Sequence, residues 1–373
     1  MKKTGQSALI LLLVLNTITA SARYLKPGFD KQEYLQMIMV SARQADTTLF
    51  GAIPRSGIYK MAYRSPVVGL DNRWDLWTSR DPVHPPVINL RGTTANTVSW
   101  LANFYAAMVP ATGSIRLDGN GMFDYKLASN PRAAVHIGWL IAMAYLSKDI
   151  RPRIDSLYRL GTRDFIITGH SQGGAIAYLL NSYLHHEQKQ GRLPADIQFK
   201  TYCSAGPKPG NLFYAYDYET ENYGGWACNV VSAVDWVPET PMSIQTLNDF
   251  SITNPFVNAK AMIRKQKFPA NLALRHVYNQ LRKPAIKAQR KYQRYLGKMM
   301  SGYVSKNING YQAPAYVATN YYVRTGNIVV LMPDSAYFTV YPEKADNVFL
   351  HHGFMPYFRL ASQLPETGPV PGK

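Results

Sequence analysis

Six consecutive residues, Gly169-His170-Ser171-Gln172-Gly173-Gly174, hold a serine in the spacing Gly-x-Ser-x-Gly. The apolar, β-branched run Phe165-Ile166-Ile167-Thr168 precedes them. After them, Ile176, Leu179, Leu180 and Tyr183 fall on one helical face. A strand, a sharp turn and a helix in that order project a serine hydroxyl above the end of a sheet. Small residues two places before and after the serine let strand and helix approach. The N–H of Gln172, at the helix start, then points to where an oxyanion would form. The chemistry this suits is nucleophilic attack by Ser171 on a carbonyl carbon.

A serine hydroxyl is a poor nucleophile near neutral pH. It needs a base within hydrogen-bonding reach, and the base needs an acid to fix its tautomer. Asp235 follows the apolar run 228–233 and begins Asp-x-Val-Pro, where proline ends the strand. A carboxylate is therefore expected beside the serine turn. Only His276, His351 and His352 follow Asp235 in the chain. His276 sits in a basic segment. His351 and His352 open a predicted final helix over 351–364, and at most one of them can be the base.

The elements that must position these groups read as alternating strands and helices. Tyr34, Met37, Ile38 and Ser41 share one face of a helix predicted over 30–45. A strand over 86–90 leads into Arg91-Gly92-Thr93. A helix over 94–108 follows, with Trp100, Leu101, Phe104 and Tyr105 on its apolar side, and another is predicted over 134–146. Strands are predicted over 197–203, 228–233, 316–323 and 327–332. This alternation implies an α/β protein with a mostly parallel central sheet and helices on both faces. Functional loops should gather at the strand C-termini, where Thr93, Ser171, Gly206 and Asp235 fall.

Composition narrows the partners. Lys2-Lys3, the apolar run 8–15 and Ala20-Ser21-Ala22 read as a secretory signal peptide over residues 1–22. That makes the expected product an exported protein, periplasmic or secreted. Residues 23–373 are expected to form one α/β domain with a basic helical insertion at about 250–310, before the last strands. Cys203 and Cys228 suit either a disulfide or buried free thiols. No Cys/His spacing suggests zinc and no acidic loop suggests calcium, so neither a metal nor a cofactor is expected.

The net charge of +18 is uneven: no Asp or Glu lies between Asp249 and Asp334, an interval with fourteen Lys and Arg. Two amphipathic helices are predicted there. Leu274, Val277 and Leu281 share a face of the first. Tyr292, Leu296, Met299 and Tyr303 share a face of the second, and Lys287, Lys291, Arg294 and Lys298 share another. This pattern suits a solvated positive face or, through residues 260–306, an anionic membrane or lipid surface. Nucleic acid is not an expected partner, because no nucleic-acid-binding motif accompanies the charge.

Five landmarks in order resemble the lipase class 3 family, the group of the fungal triacylglycerol lipases. They are Arg91-Gly92-Thr93; Ser99-Trp100-Leu101-Ala102-Asn103-Phe104; Val135-His136-Ile137-Gly138-Trp139; the serine motif; and Ala205-Gly206-Pro207-Lys208-Pro209-Gly210-Asn211. The resemblance runs from about Val87 to Leu360 and is weak in the basic segment. It implies an α/β-hydrolase fold and a serine carboxylic ester hydrolase acting on acylglycerols or other lipid esters. It makes Ser171 the nucleophile and Asp235 the orienting acid, and gives the oxyanion hole to Thr93 and Gln172. The family's base often stands five residues before a tyrosine, a spacing met by His352 and Tyr357. The residue after the serine is usually Leu in the family. Gln172 in its place would put a polar side chain near the acyl pocket, and the basic segment could act as a cap. Two other readings compete: a polysaccharide acetyl or feruloyl esterase, and a catalytically idle basic protein that binds the cell envelope.

Overall fold

The computed structural model describes residues 24–44, 53–119, 121–344 and 346–366. The predicted signal peptide lies outside these. The chain begins with α1 (Lys31–Ala42), whose N-cap Asp30 accepts from Glu33 N–H, followed by β1 (Lys60–Arg64), β2 (Trp74–Thr78) and β3 (Val87–Leu90). Next come α2 (Thr97–Phe104), β4 (Met108–Pro110), β5 (Thr112–Asp118), β6 (Gly121–Lys126) and β7 (Ala134–His136). The helix α3 (Ile137–Arg159), β8 (Asp164–His170), α4 (Gln172–Lys189) and β9 (Gln198–Ser204) carry the serine turn. They are followed by β10 (Gly210–Asn211), α5 (Leu212–Glu221) and β11 (Ala227–Ser232). The basic segment forms α6 (Ala259–Arg264), α7 (Ala270–Gln293), a π-helical stretch Arg294–Met299 and α8 (Met300–Asn307). The chain then forms β12 (Tyr322–Val323), β13 (Asn327–Leu331), α9 (Ser335–Val340) and α10 (Phe354–Ser362).

Seven strands make the central sheet in the order β1-β2-β3-β8-β9-β11-β13. The pairs from β3 to β13 are parallel and the two at the β1 edge are antiparallel, so the sheet is mixed. Strand period 2 sends alternate side chains to opposite faces, and each face has its own core. Ile88, Leu90, Phe165, Ile167 and Phe199 join α3 and α4 on one side. Val87, Ile166, Tyr202, Val230 and Leu331 join α1 and α10 on the other. Burial on both faces explains why these strands read as continuous apolar runs.

Cys203 sits opposite Asn229 and Cys228 opposite Tyr202, a one-residue offset between neighbouring strands. Their side chains therefore enter different cores, and both thiols are free. A disulfide across this offset would have to pass through the sheet.

Several predicted boundaries shift. The helix expected over 94–108 ends at Phe104, and Tyr105 turns inward, its hydroxyl bonding those of Tyr311 and Tyr316 at 2.9 and 2.8 Å. The two helices expected in the basic segment are continuous from Ala270 to Asn307 through the π-helical stretch. Most of the strand expected over 316–323 is irregular, leaving only β12. His351 and His352 lie on a 3-10 turn, Leu350–His352, and α10 starts after Gly353. Among the described residues no helix is long and apolar enough to cross a membrane.

Candidate active site

The serine turn is built by close backbone approach. A Cβ on Gly169 would lie 2.3 Å from the carbonyl of Gly173, and one on Gly173 would lie 2.2 Å from the carbonyl oxygen of Leu90. Only glycine lets β8, α4 and β3 converge so tightly. Between them Ser171 adopts φ 60° and ψ −128°, a left-handed backbone that a side chain seldom tolerates. Its N–H donates to Ser204 O at 2.9 Å, tying the turn to β9. Gln172 opens α4, so its N–H belongs to the first-turn donors that a helix leaves unpaired.

The loop after β3 lies against this turn: a Cβ on Gly92 would be 2.9 Å from His170 O. Asp71 clasps the loop. It pairs with Arg91 at 3.2 Å and accepts from the Thr94 hydroxyl at 2.5 Å. Thr93 is thereby held beside Ser171, and its hydroxyl meets Asn103 at 2.9 Å.

Asn103 organises this side of the site. Trp139 Nε1 can only donate, so the Asn103 atom it meets at 3.1 Å is the amide oxygen, Oδ1. The same oxygen accepts from Gln172 Nε2 at 2.9 Å. Asn103 Nδ2 must then donate to Thr93 Oγ1, which leaves the threonine O–H free to donate elsewhere. His136 Nδ1 accepts from Trp139 N–H at 3.4 Å as the N-cap of α3, so its Nε2 donates to Asn103 O at 3.2 Å. Burial holds His136 neutral, its pKa pushed down from 6.5 to about 3. Gln172 also donates to Ser99 O at 3.0 Å and is buried. Its side chain is thus committed to α2, correcting the expectation that it would line an acyl pocket.

On the opposite side, Asp235 follows β11. Its Oδ2 accepts from His352 Nδ1 at 2.8 Å and from the Tyr357 hydroxyl at 2.7 Å, and its Oδ1 accepts from Val237 N–H at 3.0 Å. Burial alone would raise the Asp235 pKa. The bond and charge of His352, with the Val237 and Tyr357 bonds, outweigh it and hold the carboxyl below its usual range. His352 Nε2 is left as the ring's accepting nitrogen. His351 instead bonds the Tyr337 hydroxyl through Nδ1 at 2.8 Å. His276 lies on exposed α7.

His170, next to the serine, supports this arrangement. Its Nε2 donates to His352 O at 2.8 Å and its Nδ1 meets Ser204 Oγ at 3.0 Å, while Tyr34 bonds the same Ser204 oxygen at 2.7 Å. Burial first, then His352, pushes the His170 pKa down to about 3. The two rings stand 5.0 Å apart, which puts His352 beside the serine turn. Among the described residues the Ser171 hydroxyl makes no hydrogen bond. The serine–histidine link is therefore the one contact of such a relay that is open here, and these links commonly tighten only with substrate bound.

Aromatic rings bridge the two sides. Trp100 stacks on Phe104 at 5.9 Å and meets Phe349 at 6.2 Å; Phe349 lies 5.4 Å from Trp236 and 6.1 Å from His352. Phe104, Trp236 and Phe349 are 51%, 42% and 42% exposed. The sequence resemblance offers Trp100 and Phe104 as the lipid-facing side of a lid helix, but sequence reasoning assigned no roles to Asn103, His170, Trp236 or Phe349, whose partners lie far along the chain.

Residues 87–244 match the family Lipase (class 3). The resemblance read from the landmarks is borne out over that stretch, and the match supports a lipase-like ester hydrolase. No curated protein matches the chain significantly. Among solved structures the chain is similar to lipase II from Rhizopus niveus, with 24% identity, 57% of this chain and 74% of that one covered and a TM-score of 0.39. The Rhizomucor miehei triacylglyceride lipase shows 16% identity, 58% and 77% coverage and a TM-score of 0.41. The mono- and diacylglycerol lipase from Aspergillus oryzae shows 15% identity, 58% and 76% coverage and a TM-score of 0.40.

Proposed function

We propose that this protein is an exported serine hydrolase of lipid carboxylic esters. The observation that carries this reading is the pair of buried Asp235 and half-buried His352 standing beside a strained serine turn. His352 Nε2 takes the Ser171 proton as Oγ attacks the ester carbonyl. Asp235 holds the imidazole in the required tautomer and stabilises the imidazolium, as in other Ser-His-Asp sites. The tetrahedral oxyanion accepts from the Thr93 hydroxyl and N–H and from Gln172 N–H. His352 then protonates the leaving alcohol, and water attacking by the same route releases the acid. The rim of Trp100, Phe104, Trp236 and Phe349 offers an apolar acyl chain a ring-lined surface beside the serine turn.

The test is labelling by a fluorophosphonate together with hydrolysis of p-nitrophenyl esters of increasing chain length. The native protein should label and turn over, with preference for the longer esters. Ser171→Ala and His352→Ala should abolish labelling and lower turnover by about 10⁴-fold or more. Unchanged labelling in Ser171→Ala would remove the assignment, and a preference for acetyl esters would remove the lipid substrate.

A further inference from the structure

Residues 259–307 carry thirteen Lys and Arg and no Asp or Glu. Among the described residues none of these cations is paired with a carboxylate. The inner end of the segment is anchored. A Cβ on Gly297 would lie 2.8 Å from that of Ala107, Leu296 O accepts from Ala107 N–H at 3.1 Å, and Tyr292, Met300 and Val304 are buried. The outer part, α6 and the first half of α7, is exposed along nearly its whole length.

The orientation of α7 is informative. Tyr278, Asn279, Arg282, Ala285 and Ile286 are half-buried and Gln289 is buried, so this mixed face is turned inward. The apolar stripe lies elsewhere. At 100° per residue, Leu274, Val277 and Leu281 fall about a quarter turn away, and they are 46%, 54% and 74% exposed. Met262 and Phe268 extend this surface across α6 and the connection, at 56% and 78% exposure. A helix that needed its apolar side for its own fold would bury it. This one shows that side to solvent, with Lys287 and Lys291 to one side of it and Lys283 and Arg290 on the far side of the helix.

We propose that α6 and α7 form an arm that docks the protein on anionic phospholipid bilayers. The Leu274, Val277 and Leu281 stripe enters the boundary between headgroups and acyl chains, Lys287 and Lys291 beside it meet headgroup phosphates, and the remaining lysines and arginines of the arm add long-range attraction. An apolar stripe beside a cationic face is what binding in the plane of an interface requires, and each basic residue near such a surface adds to the attraction. An anionic polymer alone would be matched by the charge but would leave the stripe without a use.

The experiment uses the full chain carrying Ser171→Ala, so that binding is read without hydrolysis and independently of the proposed esterase activity. Flotation with vesicles containing roughly one-third phosphatidylglycerol at about 0.1 M salt should capture the protein, and pure phosphatidylcholine vesicles should leave it free. Lys283→Glu, Lys287→Glu, Arg290→Glu and Lys291→Glu together should weaken capture at least tenfold. Val277→Asp with Leu281→Asp should do the same with every cation retained, and thermal melting should be unchanged because both side chains are exposed. Leu281→Trp should shift its emission to the blue on anionic vesicles only. Equal capture by neutral vesicles, capture indifferent to both sets of substitutions, an unshifted tryptophan, or binding to heparin or duplex DNA without vesicle binding would each overturn the proposal.

Discussion

Asn103 has no acid–base chemistry of its own, yet four side chains take their positions from it: Thr93, His136, Trp139 and Gln172. Its value lies in the polarity of the amide. The oxygen collects two N–H donors and the nitrogen donates to Thr93, so the threonine proton is directed away from the protein and toward a developing oxyanion. Replacing it by Leu, which keeps the volume, should lower kcat by about 10- to 100-fold with little change in KM, since the interaction it supports exists in the transition state. Steady-state kinetics on a soluble ester checks this. An equal rise in KM with kcat preserved would mean that Asn103 shapes binding and not the oxyanion. The sequence shows Asn103 within a motif but not this role, because the donors that fix its amide come from α3 and α4, more than thirty residues away. Ser171, Asp235 and His352 are candidates visible in the sequence itself, because the serine motif is local and only three histidines follow Asp235.

Elements were legible where their hydrophobic period is local. The strands of the parallel sheet and the helices α1, α3 and α4 announce themselves as apolar runs and stripes. The failures share a cause. Helix α2 stops at Phe104 because Tyr105 joins Tyr311 and Tyr316, about two hundred residues later, and no local pattern carries that information. The two helices expected in the basic segment run on as one because α7 takes Pro284 into its interior, while Gly297, already inside the second of them, admits Ala107 and Tyr316. Two buried histidines stand at element ends, His136 capping α3 and His170 closing β8. Both are held near a pKa of about 3, against an ordinary value of 6.5 in the unfolded chain. Above about 6.5 both states are neutral at these sites and no stability is lost. As pH falls from there toward 3 the unfolded chain binds protons that the folded one refuses, so stability declines by up to about 1.4 kcal/mol per pH unit for each ring. Urea titrations across this window should show that slope. His136→Asn, which keeps an acceptor at the cap, should reduce it by about one proton, and an unchanged slope would show that the ring is not excluded from protonation.

At the scale of the whole molecule, the sheet divides the interior into two cores, with the site at the strand ends where both meet solvent. The arm joins this body through one continuous helical run from α7 to α8, and α8 packs on α2, the helix that bears Asn103. A surface gripping the arm would therefore fix the bearing of the site relative to it. The partition of the two cysteines has a different consequence. Cys203 and Cys228 are each within 1% of full burial, on opposite sides of the same sheet, and burial pushes both thiols well up, Cys228 to about 12. Neither is a nucleophile toward a reagent in the native protein, and together they are a pair of clocks, one set in each core. Under rising denaturant, an aromatic disulfide reagent should modify both at a single rate that follows global unfolding. If Cys228 reacted well before Cys203, the α1–α10 layer would be lifting from the sheet while the α3–α4 layer stayed closed.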